Sequence, residues 1–241
     1  MIPFKPIAND DPALVHSPVL KAALLTLGYI EANGPIGLTP TKALKRYFVA
    51  WAAEAFAWPH YTAAELYHMN KVLNEQDFMP LVVLHDLLIA TKLTRHYKGA
   101  LRITKLGLAL RNKPGQLWAL LARHLLFHLD HSHYTRFEHR PLGNWDVFLN
   151  VINVEAEMGA SEARLCSVLY GGEEANYRRH SYMMAFAFYA HVLRPLSWAG
   201  LLAEHRTGQG FDQRELFTKT PLWTAALKLD TDRYLIKPAL H

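Results

Sequence analysis

The sequence predicts a mainly α fold written in two related halves, each carrying a short β-hairpin. Three observations lead there. Helix punctuation dominates the 241 residues: Ser, Thr, Asp or Asn stands ahead of apolar runs spaced by three and four, with Gly or Pro behind them. The stretch LTRHYKGALRIT (93–104) breaks that pattern with strand character around Lys98-Gly99. Finally, LFTKTPLW (216–223) restates LRITKLGL (101–108) as apolar residues, Thr-Lys, then a helix start carrying Pro or Gly.

Taken in order, SPVLKAALLTLGYIEANG predicts a helix over 18–33, closed by Asn33-Gly34. IGLTPT is a short extended piece, with Thr39 as N-cap and Pro40 as first residue of a helix over 41–58. On that helix Leu44, Phe48, Trp51, Ala55 and Trp58 share a face, and Pro59 ends it. Thr62 and Glu65 form a capping box for a helix bearing Leu66, Met69, Val72 and Leu73. PLVVLHDLLIATKL is an apolar helix that hands over to the first hairpin, and Thr104 caps the helix KLGLALRN. After the Pro114-Gly115 break, QLWALLARHLLFHLDHSHY reads as one helix. The loop FEHRPLGN (137–144) is the expected boundary, giving domains 1–136 and 137–241. Helices are expected in WDVFLNVINVEAEMG and SEARLCSVLY, a polar break at GGEEANYRRH, then a long apolar helix over 182–202. EHRTGQGFDQRELFT is a larger hairpin and TPLWTAALKL the closing helix.

The two hairpins superpose through their preceding helices. LIATKL (88–93) matches LSWAGL (196–201), Thr104-Lys105 matches Thr218-Lys219, and Leu108 matches Leu222. Helix, two-stranded hairpin and Thr-capped helix form the second half of a winged-helix domain. Helix 18–33, strand IGLT and helix 41–58 supply the first half. The stretch LHDLLIATKLTRHYKGALRITKLGLAL resembles the recognition helix and wing of bacterial winged-helix regulators, with their "Thr-x-x-Gly" turn. Residues 34–126 also resemble a module of bacterial proteins linked to plasmids and insertion elements. The resemblance implies tandem winged-helix-like units and, since such units bind DNA, RNA or proteins alike, it leaves the partner open.

Half the residues are apolar, a fifth are charged and the net charge is +5, which describes a globular chain able to approach phosphates. A single cysteine excludes an internal disulfide framework and fits a cytoplasmic setting. The N-terminus lacks a secretory pattern. The apolar run 182–202 is interrupted by His191, Arg194 and Pro195, so a buried helix is expected, with no membrane partner.

The candidate nucleic-acid contacts are Arg95, Lys98, Arg102 and Lys105 on the first wing and Arg206, Arg214 and Lys219 on the second. Arg178 and Arg179 precede the second unit's long helix. The first recognition turn, NEQDFMP (74–80), offers Glu75 and Asp77 and no base, which opposes major-groove insertion there and favours the second unit. Lys42, Lys45 and Arg46 read as a solvated helix face.

The expected role is a non-enzymatic, DNA-binding regulator or accessory factor of a mobile element. The alternative is a protein–protein adaptor built from degenerate winged helices, and a homodimer is compatible with both. Enzyme signatures such as Gly-x-Ser-x-Gly, a phosphate loop or a dinucleotide fingerprint are missing, and no cofactor is expected. Two enzymatic alternatives stay open. His124, His128 and His131 sit at i, i+4 and i+7 near Asp130, His133 and His139, a spacing able to hold a transition metal. Arg123 and His128 match the Arg-x4-His spacing of small helical ribonucleases, although about two such matches arise by chance. Cys166, in LCSVLY, reads as core, as do the six tryptophans.

Overall fold

The computed structural model describes residues 4–135, 139–179, 182–207 and 214–235. It is mainly helical with short antiparallel hairpins, as the periodicity predicts. The contacts divide the chain into two bodies, residues 7–129 and residues 130–241, the latter joined by the chain's first six residues. The division falls between Leu129 and Asp130, ahead of the 137–144 loop, of which residues 137 and 138 lie outside the description. Asp130 belongs to the second body because its carboxylate accepts from the Ser132 N–H (3.0 Å) and pairs with Arg140 (2.6 Å).

The first body opens with α1 (Pro18–Asn33), whose N-cap Ser17 accepts from the Leu20 N–H. Strand β1 (Ile36–Gly37) follows. The next helix does not begin at Thr41. Residues 39–44 form a tight turn in which the Thr39 hydroxyl accepts from Ala43 N–H (3.0 Å) and Lys42 sits at φ 67°. Helix α2 (Arg46–Phe56) starts only after this turn. The reason is tertiary: the Glu75 carboxylate accepts from Leu44 N–H at 2.5 Å and holds the turn open. Helix α3 (Ala63–Met69) has the expected Thr62–Glu65 capping box, but it ends before Val72 and Leu73. Helix α4 (Met79–Ala90) leads to β2 (Thr94–Tyr97) and β3 (Ala100–Ile103), then α5 (Lys105–Arg111) and α6 (Pro114–Phe127). The sheet order is β1-β3-β2, all antiparallel, with Arg95 opposite Arg102 and Ile36 opposite Leu101. Lys98 and Gly99 both take positive φ, the geometry of a two-residue type I′ turn. Phe48, Phe56, Trp58, Phe78, Leu84 and Trp118 fill the core, all of them buried.

The second body contains α7 (Trp145–Glu155), α8 (Glu162–Tyr170), α9 (Glu174–Arg179), α10 (Tyr182–Phe188) and α11 (Arg194–Ala199). It closes with β4 (Leu202–Thr207), β5 (Arg214–Lys219) and α12 (Pro221–Ala226). The apolar run 182–202 is therefore not one α-helix. Residues 189–193 form a π-helix in which Arg194 N–H reaches back five residues to the Tyr189 carbonyl. Pro195 has no N–H to continue an α-helical ladder, and the widened turn absorbs the loss. Among the described residues no helix is long and apolar enough to cross a membrane. Ala160, just before α8, bridges Phe217 on β5 through bonds of 2.9 and 2.8 Å. It stands to β5 as β1 stands to β3.

The helix exits repeat bond for bond. Leu93 N–H donates to the Leu88 carbonyl (3.0 Å) and Leu201 N–H to the Leu196 carbonyl (2.9 Å). Each exit passes through a left-handed residue, Lys92 at φ 60° in one and Gly200 at φ 84° in the other. The equivalent of Thr104, however, is Thr220 and not Thr218. Thr104 donates its hydroxyl to the Lys92 carbonyl (2.7 Å) and Thr220 to the Gly200 carbonyl (2.6 Å). Each hydroxyl also accepts from the first turn of the following helix. Thr218 lies in β5, bonded to His205 across the ladder (2.9 Å). Thr104 follows Leu93 by 11 positions and Thr220 follows Leu201 by 19, because the second strands and turn are longer.

Thr220→Val should lower stability by about 1–2 kcal/mol and Thr218→Val by only a few tenths, read from urea midpoints, since only the former removes a buried cap. At the first helix exit, Lys92→Gly should raise stability by about 1 kcal/mol by relieving a left-handed backbone, whereas Gly200→Lys should lower it by a similar amount.

Candidate nucleic-acid interface

The alternation of a strand sorts the first hairpin into two faces. On the outer face Arg95, Arg102 and Tyr97 stand together, and the turn adds Lys98. The guanidiniums of Arg95 and Arg102 and the Lys98 ammonium all lie 5.4–5.6 Å from the Tyr97 ring centroid. Tyr97 is 45% exposed. Among the described residues none of these three cations, nor Lys105, has a carboxylate within ion-pair distance. Like charges placed directly opposite across a ladder repel, so Arg95 facing Arg102 weakens the isolated hairpin. An anion between them removes the repulsion.

The inner face carries His96, opposite the buried Leu101. His96 Nε2 lies 2.8 Å from His85 Nε2, and His85 Nδ1 lies 2.6 Å from the Glu75 carboxylate. This chain borders a groove of about 1120 Å³ lined also by Lys42, Lys45, Arg46 and Tyr47. Glu75 is buried, and its two oxygens are occupied by His85 and Leu44 N–H. Asp77 accepts from Asn74 N–H (2.8 Å) and from its side-chain amide (3.0 Å), while Arg46 donates to the same Asn74 (2.9 Å). The two carboxylates of the 74–80 turn thus serve the fold, and a basic residue stands beside them. Lys42, Lys45 and Arg46 are exposed to solvent as expected but do not share a helix face: Lys42 belongs to the turn, Lys45 only caps α2, and all three line the groove. Lys45 lies over Gly37, where a Cβ would meet its Cδ at 2.9 Å.

The second hairpin differs in charge. Arg206 pairs with Glu204 (2.6 Å) and Glu215 (3.6 Å) and donates to the Tyr189 hydroxyl. Lys219 is nearly buried, pairs with Glu157 and donates to the Asn153 carbonyl (2.8 Å) and side chain (3.1 Å). Both predicted contacts are internally neutralised. The side chains of Arg178, Arg179 and Arg214 lie outside the described residues. Asn153 is a hub that sequence reading missed: it is fully buried, accepts from Trp223 Nε1 (2.9 Å), and donates to Thr231 and Asp232. An asparagine on the apolar face of α7 was the available signal.

Burial, with the nearby Glu215 and Glu204 carboxylates, pushes Glu162 up to about 8. The second hairpin is therefore set among acids. Burial likewise lifts the Cys166 thiol to about 12, which suits a core residue and not a nucleophile. The histidine spacing does not survive folding: α6 ends at Phe127, so His128 and His131 do not continue the helix face that carries His124. No group of three potential metal ligands occurs among the described residues.

Residues 15–116 match the Y4jL N-terminal domain and residues 135–221 the y4jL C-terminal domain, each range lying within one body. The uncharacterised protein y4jL of Sinorhizobium fredii (strain NBRC 101917 / NGR234) is 38% identical over 174 residues, covering 72% of this chain and 79% of that protein. No solved structure matches.

Because Glu162 holds a proton in the folded state above its ordinary carboxylate value, folding stability should fall as pH rises through the window from about 4.5 to about 8. Glu162→Gln should flatten that slope, so its gain over the wild type in urea midpoint is larger near pH 9 than near pH 5.

Proposed function

The chain belongs to the Y4jL family, and we propose that its first body binds nucleic acid along the sugar–phosphate backbone through the β2–β3 hairpin. The observation that carries this is the outer face: three cations around an exposed tyrosine, two of them opposed, with no described carboxylate among them. Such a face suits phosphates beside a base stacked on the ring. The element order supports a winged-helix reading of the body. Helix, short strand, three helices (α2, α3 and α4) and a hairpin follow one another, one helix more than that reading requires, with the short strand paired to the hairpin's second strand.

Helix α4 occupies the place of a recognition helix, but it contains no Lys or Arg, and it is buried except around Val82, Asp86 and Ala90. We therefore favour backbone contact through the wing over base reading by the helix. DNA remains the expected partner, in a cytoplasmic regulator or accessory factor. The second body's hairpin, with Arg206 and Lys219 paired internally, contributes less than the first. A second reading, docking of a protein or a second copy, is favoured by one observation: the second body leaves Met158 91% exposed and Leu216 and Val154 half-exposed.

Fluorescence anisotropy with random-sequence duplex, titrated with salt, tests the proposal. Replacing both Arg95 and Arg102 by Ala should reduce the slope of log affinity against log salt by about 1.8, since each phosphate contact contributes about 0.9. Arg206→Ala should leave it unchanged. Absence of binding at low salt, together with self-association in sedimentation, would sink the proposal in favour of the docking reading.

A further inference from the structure

The groove on the inner face of the first hairpin is built differently from the outer face. Its border is a hydrogen-bonded chain that runs inward to a buried carboxylate. The Glu75 carboxylate accepts from His85 Nδ1–H, and in the tautomer that completes the chain His85 Nε2 offers a lone pair. His96 Nε2–H then donates to it, which leaves His96 Nδ1 as the atom that gains or loses a proton. His96 comes from the exposed strand β2, and no described residue bonds that second nitrogen. The groove is lined by the cations Lys42, Lys45 and Arg46 and by Tyr47, as well as by Glu75, His85 and Asp86, and of these His85, Lys42, Glu75 and Asp86 act on the charge of His96.

We propose that this groove is a phosphate-binding site that takes up a proton at His96 when it fills. Without an anion, burial first, then His85 and Lys42, hold His96 below its ordinary value and keep the ring neutral near pH 7. A phosphate oxygen at Nδ1 reverses the balance. It offers an acceptor to the new N–H and a counter-charge to Lys42, while His85 keeps the other nitrogen engaged. The sign follows from linkage: the bound state holds the proton to higher pH than the free state, so affinity rises as pH falls through the bound value. Below the free value it levels off. The backbone supports the assignment, because Lys42 keeps a left-handed conformation that is unfavourable for a long side chain, and that turn presents its ammonium to the groove.

The ligand is a phosphate group, whether free or part of a nucleic-acid strand; only the second source rests on the function proposed above. Histidine ring signals are followed by NMR against pH with the full chain, first with inorganic phosphate and then with a short single-stranded oligonucleotide. Calorimetry in two buffers of different ionisation enthalpy counts the protons. The expected result is a rise of about one pH unit in the His96 midpoint and, between the free and bound midpoints, uptake of about half a proton, which makes binding up to about tenfold tighter at low pH than near pH 8. A response to inorganic phosphate assigns a free phosphate group, and a response to the oligonucleotide alone assigns the strand. His96→Gln should lose the proton uptake and the pH dependence while keeping the salt slope for duplex. Conversely, the Arg95→Ala, Arg102→Ala pair should keep the His96 response to inorganic phosphate. Lys42→Gly should raise the unfolding midpoint and weaken phosphate binding together, which a purely structural role for that turn does not produce. A His96 midpoint unmoved by both ligands, or equal proton uptake in a folded His96→Gln variant, overturns the proposal.

Discussion

One threonine hydroxyl at the base of each hairpin carries the architecture. A helix that ends in a left-handed residue exposes carbonyl groups that its own ladder no longer satisfies. Thr104 and Thr220 donate to those carbonyls and accept from the amides that open the next helix. A single oxygen therefore joins the end of one helix, the foot of the second strand and the start of another. Gly107 shows how tightly this corner is drawn, because a Cβ there would collide with the Leu93 carbonyl. Where the hairpin can project, and which side chains it can present, follows from that junction.

The same junction serves opposite electrostatic ends. In the first body the short strands and two-residue turn gather Arg95, Lys98 and Arg102 around one ring. In the second, longer strands bring Glu204 and Glu215 to Arg206, while Lys219 turns inward to the Asn153 hub. A buried, fully bonded amide of this kind fixes partners by direction and leaves the surrounding apolar contacts to supply the energy. The two hairpins are alike in backbone and unlike in what they can attract.

Much of this was legible in the residues. Capping signals at Thr62 and Thr104 locate helix starts, and the match of Leu88–Leu93 to Leu196–Leu201 places both helix exits, because these features are local. What failed was decided over distance. Thr39-Pro40 has the form of a helix start, but Glu75, 31 positions from Leu44, converts the segment to a turn. The Thr-Lys pair at 218–219 mimics 104–105, yet the strand simply runs two residues further before its cap. Charge counting could not tell the two hairpins apart, since a sequence shows how many ionic groups a hairpin carries and not which are already paired. The Glu75–His85–His96 chain joins a 3-10 turn, a helix and a strand, and no spacing rule connects them.

Lys5 has a larger meaning than its position suggests. Its backbone N–H donates to the Ala226 carbonyl at 2.8 Å and its ammonium to the Thr224 carbonyl, so the opening residues are part of the body that forms last along the chain. The chain thus leaves the second body after residue 6 and returns to it at residue 130, so residues 7–129 are an insertion within the second body, and the Lys5 bonds tie the two ends of that body together.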